Sequence, residues 1–341
     1  MQCRFIGQGA QAVCTIMGQV ANGMDPAAER RKAAVVVHKK SYRLSDLLED
    51  WSSLHLAGRS DRYAVDALLT LRRVFESHLG MAAADLDRAA VVRAVDALVR
   101  KGRSAMARQV AAYGRAAYGW GVKRGSVATN PFITLPLPPA ASRDRVLTDS
   151  ELVAIWQATD GAGAFNSIVR ILLLTGQRLN EVAAMTWTEL SDDLSTWTIP
   201  ASRTKNDKIN MVPASEPAQK ILRATPQSGA FVFPGYRGPF RGFARAKAAL
   251  DASSGVTEWR LHDLRRTAAT GLQRLGVRLE TTESILNHVS GSRSGIVGVY
   301  QRHDFAAEKR TALDAWAEHV AAIVEGRAAT SNVTELRSSR G

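Results

Sequence analysis

A chain of 341 residues is longer than one ordinary compact domain and predicts two or three. Apolar residues make up 45% and charged residues 23%, which excludes a largely disordered chain. Lys and Arg number 45 against 32 Asp and Glu, and a net charge of +13 points to a polyanionic partner, either nucleic acid or an anionic membrane surface.

In chain order, residues 1–40 read as the remnant of an N-terminal region. Asp25-Pro26 is a good helix start, and Ala27 to Lys32 would follow as a basic helix. Cys3 and Cys14 also lie here, too close to the start to staple the body of the chain, and no Cys/His cluster has zinc spacing. There is no leader pattern, and no apolar run nears the roughly 18 residues of a membrane span. A cytoplasmic setting with no membrane partner is the expectation.

From Tyr42 to about residue 130 the pattern is helical. Leu44, Leu47, Leu48 and Trp51 share one helix face, and Ala67 to Leu79 and Val91 to Val99 repeat the theme. A last helix, about Ser104 to Lys123, carries Met106, Val110, Tyr113, Ala117 and Trp120 at helical spacing. Its companions Arg108, Arg115, Lys123 and Arg124 form either a solvated face or one that tracks phosphates, and spacing alone does not choose. Asn130-Pro131 and then Pro136, Pro138 and Pro139 stop any helix, so residues 131–145 read as a linker.

Residues 146–326 read as a second domain and 327–341 as a disordered tail. Thr148 and Glu151 have capping-box spacing, so a helix starts near Asp149, and Asn166 to Thr175 is a strongly apolar helix. Ser195 to Pro200 and Ile209 to Pro213 are strand-like around the polar turn Arg203 to Lys208. Leu261 to Leu275, Thr281 to Leu286 and Asp304 to Val324 read as helices, with a loop at Ser290 to Gly295. Phe305, Leu313 and Trp316 of the last helix either pack within their own chain or dock on a neighbouring subunit. The fold class is mostly α with a small β-sheet (α+β).

Four polar groupings carry chemistry, each with an ordinary alternative. In Thr175-Gly176-Gln177-Arg178-Leu179-Asn180-Glu181, the glycine lets the chain turn after an apolar helix. Arg178 is then held on a rigid support and Glu181 can orient it, although an ordinary ion pair fits as well. His262 and Arg265 sit at i and i+3, so both can meet one phosphate, or they belong to a basic helix face. Asn287-His288 is followed twelve residues on by Tyr300, for which a half-buried core position is the commoner fate. Lys205, or equally Lys208, occupies the hairpin turn and either enters a cleft or stays solvated.

Taken in order, Arg178, Lys205, His262, Arg265, His288 and Tyr300 resemble the catalytic signature of the tyrosine recombinases, the phage integrase family. The likeness spans residues 148–325 and rests on Thr-Gly-x-Arg-x-x-Glu, on Leu-His-Asp-Leu-Arg-Arg-Thr and on Asn287-His288, where the family more often has Gly-His. By pattern, residues 42–130 resemble the family's helical core-DNA-binding domain, and Gly23 to Arg31 looks like the end of an arm-binding region.

The resemblance implies a site-specific DNA recombinase or integrase. Tyr300 would attack a phosphodiester to form a 3′-phosphotyrosyl bond and release a 5′-hydroxyl. Arg178 and Arg265 would hold the nonbridging oxygens, with Glu181 orienting Arg178. Lys205 would protonate the leaving oxygen, His262 would help take the tyrosine proton and His288 would hydrogen-bond the phosphate. It also implies double-stranded DNA with specific attachment sites, a homotetramer on that DNA, accessory DNA-bending or directionality factors, a nucleoid association and no cofactor or metal. Two rivals remain: a shortened prophage integrase that binds DNA without catalysis, and a type IB topoisomerase-like enzyme.

Overall fold

The face formed by Leu44, Leu47, Leu48 and Trp51 is buried on helix α1 (Leu44–His55), as its spacing predicts. A computed structural model describes residues 42–140, 143–204, 206–288 and 305–327, which fall into two units meeting at residues 142 and 143. Cys3, Cys14, the expected helix Ala27 to Lys32, the loop Ser290 to Gly295 and the tail beyond Arg327 lie outside the described residues.

In the first unit, α1 is followed by α2 (Asp61–Val74), α3 (Arg88–Arg100) and α4 (Ser104–Lys123), and α4 packs against the other three. Helix α2 starts six residues before the expected Ala67 because Ser60 accepts the backbone N–H of Tyr63 as an N-cap. It stops at Val74, where a short 3₁₀ turn, Glu76–His78, replaces the expected last helical turn.

The stretch read as a linker is held at both ends. Phe132 is buried in the first unit's core, and Arg88 donates to the carbonyls of Ile133 and Thr134. Arg143 is already paired with Asp263 at 3.1 Å, and Leu147 lies in the core of the second unit. Proline stops a helix but does not free the chain, and here side chains from neighbouring elements satisfy its carbonyls.

The second unit is built around α6 (Ala164–Thr175), an almost wholly buried helix preceded by α5 (Asp149–Ala158), whose Thr148–Glu151 capping box forms. A short helix α7 (Leu179–Ala183) leads to an antiparallel pair, β1 (Thr196–Ile199) and β2 (Asn210–Pro213), with Trp197 opposite Val212. Then come α8 (Glu216–Arg223), α9 (Phe243–Ser254), α10 (Leu261–Arg274), α11 (Leu279–Ile285) and α12 (Ala306–Val324).

Helix α12 decides between the two readings of its apolar face. It packs on β2 and on α5, α6, α10 and α11. Leu313 and Trp316 are buried there, and the Trp316 indole donates to the Leu173 carbonyl at 2.8 Å. Of the two readings, packing within their own unit is the one these two side chains follow. No helix among the described residues is long and apolar enough to cross a membrane.

Candidate active site

The site begins where α6 ends. Gly176 adopts φ +64, a left-handed conformation that costs glycine nothing and reverses the chain. Gln177 then turns inward and Arg178 turns toward the surface at the start of α7. The Arg178 guanidinium pairs with buried Glu181 at 2.9 Å, while its backbone N–H donates to the other carboxylate oxygen at 3.0 Å. Its remaining arm reaches the Asn287 carbonyl at 3.3 Å. The three-residue spacing thus brings Glu181 against Arg178.

Arg265 comes from α10 and is only 4% exposed. It donates to the carbonyls of Gly176, at 2.8 Å, and Leu286. Carbonyls orient a guanidinium but do not neutralise it. Burial, and then repulsion from Arg178, pulls the Arg265 pKa down to about 10, so it is still a cation at neutral pH. His262, one turn earlier on α10, has its pKa lowered by burial and by Arg265 and Arg266. His288, just after α11, has its pKa lowered by burial and then by Arg265 and Arg178, and it also feels His262. These four groups therefore act on one another electrostatically, and burial and the arginines outweigh the opposing pull of Glu181, Asp263 and Glu283. Such a place can take a phosphodiester and stabilise added charge on it.

A polar network fixes the frame. Gln177 donates to the carbonyls of Thr175 and Ile285 at 2.9 and 2.8 Å and accepts from Asn210 on β2 at 3.1 Å. Lys309 of α12, itself buried, reaches the Asn210 side chain at 3.4 Å and the Met211 carbonyl at 3.0 Å. The hairpin, the end of α11 and the start of α12 are thereby tied to the turn that bears Arg178. Lys205 and Tyr300 lie outside the described residues. Lys208, the other turn lysine, is exposed, and its backbone is bound to Thr204.

Residues 145–306 match the sequence model of the phage integrase family. The chain is 31% identical over 170 residues to prophage integrase IntA of Escherichia coli (strain K12), which covers 48% of this chain and 41% of IntA. It is 27% identical over 323 residues to prophage integrase IntZ of the same strain, covering 90% of this chain and 78% of IntZ. The second unit thus carries a phage integrase family domain, over residues 145–306. The chain's fold is that of lambda integrase: a structure of that protein, as a tetramer bound to a Holliday junction, superposes with a TM-score of 0.63 at 17% identity, over 87% of this chain and 91% of that one.

In the first unit, the basic residues of α4 and of its C-cap divide into two pairs. Arg108 donates to the carbonyls of Pro138 and Pro139 at 3.2 and 3.3 Å, and Arg115 to that of Phe132 at 3.5 Å. Lys123 and Arg124 are exposed at the helix end, with Arg124 over the Trp120 ring. A further basic feature went unread in the sequence. In the turn Gly235-Tyr236-Arg237-Gly238 the ends are closed by a 2.8 Å hydrogen bond, Tyr236 is 97% exposed and Arg237 lies over its ring. The flanking glycines and prolines were the signal that could have found it.

Proposed function

We propose that the chain is a site-specific DNA recombinase that cleaves and rejoins DNA through a 3′-phosphotyrosyl intermediate. The observation that carries this is that Arg178 and the buried Arg265, whose hydrogen bonds go to backbone carbonyls, act on one another electrostatically, with His262 and His288 in the same field. A diester between the guanidiniums would have its nonbridging oxygens held and its added charge offset. Each such preorganised donor is worth about 3 to 4 kcal/mol of barrier. Tyr300 is the nucleophile, Lys205 the acid for the leaving 5′-oxygen, His262 the group that receives the tyrosine proton, and His288 a phosphate donor. The covalent bond keeps the energy of the broken ester, so a 5′-hydroxyl from a partner strand can reverse the step.

The second unit is the catalytic domain in this reading and the first is the core-DNA-binding domain. The partner is duplex DNA with specific attachment sites. Since lambda integrase is described as a tetramer on a Holliday junction, a tetramer on DNA is the assembly proposed here. Accessory bending factors and a nucleoid location belong to the same reading.

The test is a suicide substrate carrying the ends of the encoding element, with wild type beside Tyr300→Phe. A denaturation-resistant adduct that only wild type forms supports the reading. A gel shift without an adduct would instead favour a DNA-binding chain without catalysis. Relaxation of supercoils without a specific site would favour the topoisomerase-like alternative.

A further inference from the structure

The turn between β1 and β2 is fastened on both sides of position 205. On one side, the buried Thr204 hydroxyl lies 2.8 Å from the Lys208 carbonyl and 3.0 Å from that of Ala201, and accepts the Lys208 N–H at 3.1 Å. On the other, Asn206 reaches out of the hairpin altogether. Its amide donates to the Asn287 side-chain oxygen at 2.8 Å and receives the Asn287 amide in return at 3.2 Å. The same Asn206 amide lies 3.3 Å from the Asn287 carbonyl, which also accepts from Arg178. Asn287 has φ +47, a left-handed conformation that asparagine tolerates better than most residues. Glycine would hold this backbone equally well but could not return the amide bond. Leu286, one residue earlier, is the acceptor for Arg265.

One dipeptide, Leu286-Asn287, therefore touches both arginines and the hairpin. Its link to the hairpin is a neutral amide pair that does not compete with a phosphate for guanidinium donors. We infer that Asn206 and Asn287 form a positioning clasp that holds the Lys205 turn against the arginine pair, so that proton delivery to the leaving oxygen depends on it. This rests on the proposed role of Lys205. In the step concerned, the Tyr300 oxygen–phosphorus bond forms as the phosphorus–5′-oxygen bond breaks. The Lys205 ammonium gives its proton to that 5′-oxygen and becomes a neutral amine.

A 5′-bridging phosphorothiolate separates positioning from mere support. Its phosphorus–sulfur bond breaks to release a thiolate that needs no proton. Single-turnover adduct formation is measured on oxygen and sulfur substrates for wild type, Asn287→Gly, Asn206→Ala and Lys205→Ala. General acids contribute about 100- to 10,000-fold, so a loosened one is expected to lose about 10- to 100-fold on the oxygen substrate. Both clasp variants should return to within a few-fold of wild type on sulfur, as should Lys205→Ala. Equal losses on both substrates, or no loss on oxygen, overturn the clasp while Lys205→Ala still shows rescue. If Lys205→Ala is not rescued, the acid lies elsewhere, and the Lys205 reading and the clasp fall together.

Discussion

A large ring enters a helix at a glycine in each unit, and the two sites do different jobs. A Cβ at Gly114 of α4 would lie 2.2 Å from the Phe132 ring, and one at Gly271 of α10 would lie 2.1 Å from the Trp316 ring. Phe132 pins the chain just as it leaves the helical unit. Trp316 braces the helix that carries His262 and Arg265. The arginines differ in the same way. Arg88, Arg108 and Arg115 hold carbonyls near the surface, where water screens their charge. Arg265 uses the same kind of acceptor at 4% exposure, with no carboxylate among its hydrogen-bond partners in the described residues, so water does little to screen its charge. One type of bond thus anchors chain in one unit and, in the proposed function, prepares an anion site in the other.

The sharpest way to break this comparison is to exchange the charges. Arg265→Ala is expected to lower the single-turnover rate of adduct formation at least 100- to 1,000-fold, the cost of losing one preorganised donor. Arg108→Ala should change it only a few-fold. Similar losses for both would remove the distinction between anchoring and catalytic arginines.

Next in size are the glycines. Gly→Ala in a helix ordinarily gains up to about 1 kcal/mol. At Gly114 and Gly271 the added methyl meets a buried ring, and overpacking typically costs about 1 to 3 kcal/mol. The clash should win, so both alanine variants should unfold at lower denaturant than wild type. Only Gly271→Ala should also slow cleavage at saturating DNA, because only that ring backs the helix of His262 and Arg265. A stabilised Gly271→Ala would show that the Trp316 contact has slack.

What the sequence made legible follows from the range of each signal. The α1 face, the Thr148–Glu151 cap, the Gly176 turn and the one-turn spacing of His262 and Arg265 are all set within about seven residues, and local physics specifies them. The carbonyls to which Arg108 donates lie 30 and 31 residues away, so its basic character alone could not separate an anchor from a phosphate contact. The Gln177–Asn210–Lys309 network spans further still, and a lysine on an amphipathic helix gives no hint of burial. Helices α8 and α9 went unread because the first is short and the second buries only Leu250.

A smaller effect separates the site from the rest by pH. The pKa values of His262 and His288 are lowered, by burial first and by the arginines next. Between those values and the ordinary histidine value of about 6.5, the unfolded chain binds protons that the folded chain does not. Their contribution to stability is therefore present above that range and is lost as pH falls through it. A bound phosphate opposes the arginine repulsion, raises both values and draws protons in. DNA affinity should then rise about two- to tenfold, at constant salt, as pH falls from about 8 to 6. His262→Gln with His288→Gln should flatten the profile, and an unchanged slope would place the titrating groups elsewhere.

The smallest effect tests the division within α4. Lys123 and Arg124 are exposed and, among the described residues, neither pairs with a carboxylate. If they contact phosphates, each alanine variant should reduce the slope of log affinity against log salt by about 1, uniformly across DNA sequences. Arg108 and Arg115 already hold the chain from Phe132 to Pro139. Their removal should loosen that stretch, seen as faster amide exchange there, and leave the salt slope nearly unchanged. A fall in slope for Arg108→Ala equal to that for Lys123→Ala would mean that a carbonyl-bound arginine still releases a counterion on binding. The anchoring face and the phosphate face of α4 would then be one surface.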